Sequence, residues 1–381
     1  MRKIVYITPS LYCAGGIERV LTAKMNYLAE VMGEEVTVIL TDGAGKEPYF
    51  PLSPKVKVIN LNIGFEEMWN RPLLEKIRIS HKKEACYRKQ LEETLMTLRA
   101  DYVITTLRRE INFLSKINDG SIKIGEMHIN RKHFRNFEGR YFPFKRLITY
   151  LWMRQLITQL KLLNRVVVLT EDDRRQWPEL NNLECIPNVV ETREYDDALR
   201  GMKRVIAVGR YCYQKGFDLL IEAWREVARQ RPDWTLEIYG AGDSTPYQQL
   251  VDKAELTASV HLCGPSSDIF NHYASSDIMV LSSRFEGFGL VIVEAMGTGL
   301  PVVAFDCECG PREIITDMED GILVRPEDTE KLAEQLLLLI NDGELRRKMG
   351  EKARIKAKAY APENIMRQWY DKVFTQPSPV R

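Results

Sequence analysis

Cysteine is scarce and scattered in this chain. There are seven in 381 residues, and only Cys307 and Cys309 fall close together. No disulfide framework or paired metal-ligand spacing emerges, so the thiols are expected to be reduced and the protein cytoplasmic. A metal at Cys307 and Cys309 would need further ligands that the sequence does not supply. No apolar run reaches the roughly 18 residues of a membrane span, and "MRKIVYITPS" is too short in its apolar stretch for a signal peptide. Charge of one sign is missing too. The 54 Lys and Arg are balanced by 53 Asp and Glu, so net charge lends no support to a nucleic-acid partner. The chain has no GxGxxG, which disfavours a dinucleotide site, and no Asp-x-Asp pair to hold a metal.

What is present is a soluble-protein composition, 45% hydrophobic and 28% charged, in a chain too long for one hydrophobic core. "KIVYIT" (Lys3–Thr8) reads as a strand. A loop with Gly15 and Gly16, the helix-period run "IERVLTAKMNYLAEVM" and the strand "EVTVILT" follow. That βαβ opening predicts a parallel sheet. "KVKVINL", "DYVITT", "SIKIGEMH" and "NRVVVLT" read as further strands, and "FKRLITYLWMRQLITQL" as a helix. Residues 181–202 lose periodicity and contain the expected domain boundary. "KRVIAVGR" then restarts the pattern. The helix "FDLLIEAWREVARQ" and the strands "TLEIYG", "VHLCG", "DIMVLSS", "LPVVAFD" and "GILVR" continue it. The expectation is two Rossmann-like parallel-sheet domains, 1–190 and 191–381, facing across a cleft at the carboxyl ends of their strands. The last helix, about 362–375, caps the second domain or packs back on the first.

Ligand-directed residues gather at strand ends. Gly15 and Gly16 let a backbone approach a ligand at a helix start, where amides favour an anion, although a plain tight turn has the same look. Arg210 and Lys215 flank a glycine-ended strand and suit a diphosphate, the one as a planar fork and the other as a point charge. Solvated surface cations would read the same way. In "RFEGFGLVIVEAMGTG" a helix is expected to begin near Gly289. Glu286 lies in the loop before it and Glu294 about a turn and a half inside. A carboxylate among Val293, Ala295 and Met296 needs a partner if buried, such as sugar hydroxyls, or else faces solvent.

These residues together resemble the retaining glycosyltransferases of family GT4, which have the GT-B fold. "EGFGLVIVE" matches the family's E-x7-E motif with Glu286 and Glu294. Gly15, Gly16, Glu18 and Arg19 match its "GG-ER" start. "VGR…KG" supplies Arg210 and Lys215, and "IPNVV" and "LPVVAFD…GPREII" extend the match across nearly the whole chain. The family often has Asn-Gly-Val where this chain has Asn188-Val189-Val190, a mild departure.

The resemblance implies a role for each position. Gly16, with Gly15, meets the donor diphosphate through its amide, and Arg210 and Lys215 neutralise it as it leaves. Glu286 contacts donor-sugar hydroxyls, and the amides of Phe288, Gly289 and Leu290 assist with sugar or phosphate. Glu294 takes the ribose. His128, in "GEMHINRK", approaches the donor sugar, where residues alone would suggest a structural histidine. Glu308, between the two cysteines, either tunes what fits or is merely exposed. The implied reaction is metal-independent transfer, with retention, of a hexose or N-acetylhexosamine from a nucleotide sugar. The donor expected on family frequency is a UDP-sugar, with no cofactor beyond that substrate. A nucleotide-sugar 2-epimerase and a non-catalytic carbohydrate-binding protein remain as competing readings.

The acceptor is expected at the first domain, as a glycan or polyprenyl-diphosphate-linked saccharide of cell-surface polysaccharide synthesis. Arg131–Arg165 carries nine Lys and Arg and one acid, Glu138. Among them lie Phe134, Phe137, Tyr141, Phe142, Phe144, Tyr150, Leu151 and Trp152. A second basic stretch, "EKIRISHKKEACYRK", precedes it. Such basic-aromatic segments suit the anionic face of the inner membrane, and a solvated helix over an ordinary core stripe is the alternative. No nucleic-acid recognition motif is present.

Overall fold

The structure, a computed structural model, describes residues 1–68, 72–134, 145–192 and 201–374. The chain divides into two compact units. One is Met1–Val189 together with the C-terminal stretch from Ile365, and the other is Val190–Asn364.

The first unit is built on a sheet of seven strands: β1 (Lys3–Thr8), β2 (Glu35–Leu40), β3 (Lys57–Asn60), β4 (Tyr102–Thr105), β5 (Ile122–Glu126), β6 (Arg165–Val168) and β7 (Leu183–Cys185). Their spatial order is β3-β2-β1-β4-β5-β6-β7, and every pair is parallel. Helices α1 (Gly16–Glu30), α2 (Leu73–Leu98), α3 (Lys145–Leu160) and α4 (Glu171–Arg175) accompany it. The β-branched runs of β1, β2, β4 and β6 are buried almost throughout, as a sheet covered on both faces demands. On one face of the sheet Val5 and Val103 pack on Tyr87, Leu91 and Leu95 of α2, and further along that same face Val166 and Val168 join Leu156 and Leu160 of α3 with Trp177.

The second unit has six parallel strands: β8 (Arg204–Val208), β9 (Thr235–Tyr239), β10 (Val260–Cys263), β11 (Ile278–Leu281), β12 (Val302–Phe305) and β13 (Gly321–Val324). They are ordered β10-β9-β8-β11-β12-β13. Helices α5 (Phe217–Gln230), α6 (Thr245–Lys253), α7 (Ile269–Ala274), α8 (Leu290–Gly297), α9 (Pro311–Ile314), α10 (Thr329–Asn341), α11 (Gly343–Ala357) and α12 (Pro362–Trp369) follow in order. Helix α5 shows the sequence logic plainly. Phe217, Leu220, Ile221, Trp224 and Val227 recur at helical spacing and all are buried, joining Leu332, Leu336 and Leu339 of α10 in the core.

Each sheet reverses its strand order once, at β1/β4 and at β8/β11, and loops after these strands are where ligands collect in open parallel sheets. Several elements escape the sequence reading, among them α4, α10 and α11. The helix α2 spans 26 residues but among its described side chains buries only a thin stripe, so its polar, basic sequence hides the helical period. β7 lies inside the stretch read as irregular. Helix α12 crosses from the second unit into the first, where Trp369 lies over Lys24 and the ring of Phe374 sits 5.0 Å from Tyr102, whose hydroxyl donates to the Phe374 carbonyl. The expected boundary region includes residues 193–200, which lie outside the described residues.

Candidate active site

In the second unit, three strand ends converge. After β8 the chain makes a tight turn at Tyr213–Lys215 and enters α5 through Gly216, whose φ of +61° is left-handed. A Cβ at Gly216 would fall 2.1 Å from the carbonyl oxygen of Ser282, so only glycine lets this turn sit against the end of β11. Ser282 Oγ donates to the Lys215 carbonyl at 2.9 Å, tying the same two loops. The Lys215 side chain then runs back beside Gly209 and reaches the loop after β11, where Nζ stands 2.7 Å from Glu286 Oε1. Ser283 Oγ donates to that oxygen at 2.7 Å. The Glu286 amide donates to the Glu308 carbonyl beyond β12, at 3.3 Å.

Arg284 locks this frame from outside. Its guanidinium donates to both Asp218 oxygens at 2.9 and 2.6 Å and lies 4.1 Å from the Tyr213 ring centre. Arg210, by contrast, is exposed and forms no ion pair with any described residue. The two cations read alike in the sequence are therefore different here. Lys215 is already neutralised by Glu286, and Arg210 carries the uncommitted positive charge.

Helix α8 opens beside them. Gly289 caps it with φ +93°, and no side chain caps the helix. None of the amides of Phe288, Gly289 and Leu290 donates to another described residue, which leaves a helix start suited to an anion. Phe288 itself is buried, with its ring 5.6 Å from Tyr360. Glu294 does not face solvent. It is 2% exposed and accepts a hydrogen bond from the Tyr273 hydroxyl on α7 at 3.2 Å. The partner that its burial requires is thus supplied within the fold, and a ligand hydroxyl would meet a carboxylate already engaged. Cys307 and Cys309 are buried and not in a disulfide, while Glu308 is exposed. Burial and the nearby Glu286 carboxylate push the Cys307 thiol well up. Among the described residues no cluster of three or more His, Cys, Asp or Glu is assembled to hold a metal.

In the first unit, Gly15 caps α1 and Gly16 is its first residue. A Cβ at Gly15 would lie 2.1 Å from Glu18 Oε2, so the carboxylate of Glu18 folds back over Gly15. His128 lies two residues past β5. Its side chain is 4% exposed, and its Nε2 is 3.5 Å from Glu126 Oε1. Glu126 in turn pairs with Lys24 at 2.7 Å. Burial pushes the imidazole down to about 4, against Glu126 and with help from the positive charges of Lys24 and Arg108. His128 is neutral at any ordinary working pH.

Arg131, the first cation of the basic stretch, is engaged within the fold. It forms a two-pronged pair with Glu179 at 2.6 and 2.7 Å and lies 4.8 Å from the Trp177 ring centre, fastening the loop after β5 to the segment following α4. Phe137, Glu138, Tyr141, Phe142 and Phe144 of that stretch lie outside the described residues. On α3 the reading of exposed apolar side chains has direct counterparts, since Leu147, Tyr150 and Leu151 are all more than half exposed. No helix among the described residues is long and apolar enough to cross a membrane. Ser283, Tyr273, Arg284, Lys24 and Glu126 escape the sequence reading. Each lies in a segment read only as strand, helix or loop, and its partner is distant in sequence.

Comparison with known proteins gives this frame a family. Residues 196–356 match the family model described as glycosyl transferases group 1. The chain is 30% identical over 377 residues to an uncharacterized glycosyltransferase of Haemophilus influenzae, covering 97% of this chain and 99% of the relative. It is 35% identical over 221 residues to the amylovoran biosynthesis glycosyltransferase AmsD of Erwinia amylovora, covering 55% of this chain and 62% of the relative. Among solved structures, a Staphylococcus aureus TarM mutant in complex with Fondaparinux, alpha-GlcNAc-glycerol and UDP superposes with a TM-score of 0.80 at 18% identity, covering 99% of this chain and 100% of that one. That likeness extends to both sheets and makes the fold GT-B. With sequence identity sustained over nearly the full length of both chains, the protein belongs to the group 1 glycosyltransferases.

Proposed function

We propose that this glycosyltransferase moves a hexose or N-acetylhexosamine from a UDP-sugar to a glycan or polyprenyl-diphosphate-linked saccharide, with retention, in cell-surface polysaccharide synthesis. The observation that carries the reading is the Lys215–Glu286 pair, 2.7 Å apart, beside the uncapped start of α8 and the uncommitted Arg210. A leaving diphosphate needs fixed positive charge and N–H donors, and both are gathered at one edge of this sheet. The TarM complex with UDP and the role of AmsD in amylovoran biosynthesis favour the donor and the setting.

In this mechanism Arg210 and the α8 amides take the diphosphate. Lys215 moves its charge from Glu286 toward the leaving oxygen, and Glu286 accepts hydroxyls of the sugar. Glu294 accepts from the ribose. Gly15, Gly16 and His128 serve as donor contacts of the first unit. The bond between the anomeric carbon and the diphosphate oxygen breaks, and the acceptor oxygen bonds to that carbon on the same face. The acceptor proton passes to the departing phosphate, leaving UDP and a new glycoside. No metal is needed where these cations serve. Peripheral contact with an anionic membrane is part of the same proposal, through the exposed Leu147, Tyr150, Leu151 and Arg154.

The test is a screen of UDP-sugars against polyprenyl-diphosphate-linked saccharides, reading both UDP and glycolipid. Wild type is expected to yield equal amounts of each, and Glu286→Ala and Lys215→Ala to lose about 100-fold or more. UDP release without a new glycoside would point to an epimerase. Unchanged turnover in both variants would overturn the site.

A further inference from the structure

The first unit buries a charged trio beyond what the proposed transfer requires. Lys24 on α1 and Glu126 at the end of β5 pair at 2.7 Å with side chains only 1% and 2% exposed. The second carboxylate oxygen of Glu126 lies 3.5 Å from His128 Nε2, a buried atom with no hydrogen-bond partner. Tyr6 of β1 faces the same ammonium, its ring centre 5.7 Å from Nζ, and its buried hydroxyl is also without a partner. Trp369 of α12 covers the ammonium with its ring centre 3.5 Å away. Arg108, exposed after β4, adds positive charge at longer range.

A buried ion pair is weak evidence of a stability device, because apolar side chains of similar volume often do as well. Its geometry suits another task. A bare carboxylate beside an imidazole would draw a proton onto the ring. An ammonium clamped to that carboxylate cancels most of its field while leaving its other oxygen 3.5 Å from the ring nitrogen. Carboxylates and carbonyls that take one ring N–H in this manner set which tautomer a histidine adopts.

We propose that the Lys24–Glu126 pair is the positioning device of His128: Glu126 Oε1, 3.5 Å from Nε2, is the acceptor that takes its N–H on a small closing movement, and Lys24 holds that carboxylate so that the ring stays a single neutral tautomer with Nδ1 left to accept a donor-sugar hydroxyl. This rests on the reading of His128 as a donor contact. Lys24 and Glu126 touch no substrate and act only through the ring.

The experiment is nitrogen NMR of the imidazoles in the full-length chain, with His128 assigned by the His128→Asn variant. Wild type is expected to show the Nε2–H tautomer of His128 alone from pH 8 to below pH 6. In Lys24→Met the ring is expected to ionise above pH 6, and transfer to fall about tenfold more at pH 6 than at pH 8. Glu126→Gln is expected to keep the ring neutral but mix its tautomers. A Lys24→Met, Glu126→Leu double variant, which leaves no unpaired buried charge, is expected to fold and return the ring to neutrality. A wild-type ring that carries its proton on Nδ1, or that ionises near about 6.5, would overturn the proposal. So would a Lys24→Met loss equal at both pH values, which is what a merely structural role predicts. The NMR result stands apart from the donor reading, whose failure would instead appear as absent transfer by wild type.

Discussion

Lys215 Nζ and Glu286 Oε1 stand 2.7 Å apart at the meeting of two strand ends, with side chains 14% and 8% exposed. Removing Lys215 leaves the Glu286 carboxylate mostly buried without its counter-ion. Lys215→Ala is expected to cost about 3 kcal/mol of unfolding free energy in urea titrations. Pairing Lys215→Met with Glu286→Leu should recover most of that stability without restoring transfer. Equal stability of the Lys215→Ala single variant and wild type would show that the pair is not held as described.

Arg131 and Glu179 offer a test in acid. The Arg131 hydrogen bonds hold the Glu179 carboxyl down to about 2, from an ordinary value of 4.5. A carboxyl depressed on folding contributes stability that is present above its unfolded value and lost as pH falls through its folded one. The difference in urea midpoint between wild type and Arg131→Gln should therefore be constant near neutrality, shrink below about pH 4.5 and vanish near pH 2. Glu179 is over a third exposed by side chain, so the pair is worth about 1 kcal/mol at most. A midpoint difference that persists unchanged to low pH would assign the effect to Arg131 stacking on Trp177 instead.

Leu147, Tyr150 and Leu151 lie on one side of α3, at spacings of three and four, with Arg154 one turn further and also exposed. Surface side chains of this kind, next to cations, suit a bilayer interface. Wild type is expected to sediment with vesicles containing anionic lipid and to be released by salt. Replacing the three apolar residues by Ser should weaken that binding at least about fivefold, since each buried CH₂ is worth about 0.8 kcal/mol. Equal sedimentation by the triple variant would remove α3 from any membrane contact.

Much of the architecture is legible in the residues because a sheet buried on both faces leaves an unmistakable imprint. Runs such as "RVIAV" and "IMVL" have few other uses in a water-soluble chain. The boundaries of α5 are equally plain, since its apolar positions recur at one period from Phe217 to Val227. Helix α2 is not legible in that way. Among its described side chains the buried stripe is Tyr87, Leu91 and Leu95, one residue per turn, and most of the others are polar.

The acids show the limit more sharply. Spacing alone puts Glu286 before a helix and Glu294 inside it, and chemistry alone requires a partner for each. That those partners are Lys215, Ser283 and Tyr273 depends on loops from separate strands arriving at one place. Likewise, nothing local in "GEMH" shows that a lysine about a hundred residues earlier neutralises Glu126 beside His128. The sequence by itself determined the strands, the glycine-led helix starts and the chemical needs of each buried charge, because these follow from period, backbone freedom and solvation. Only the tertiary structure decided which charges meet, because parallel strands bring together residues that are remote along the chain. By that meeting it left Arg210 uncommitted and Lys215 paired.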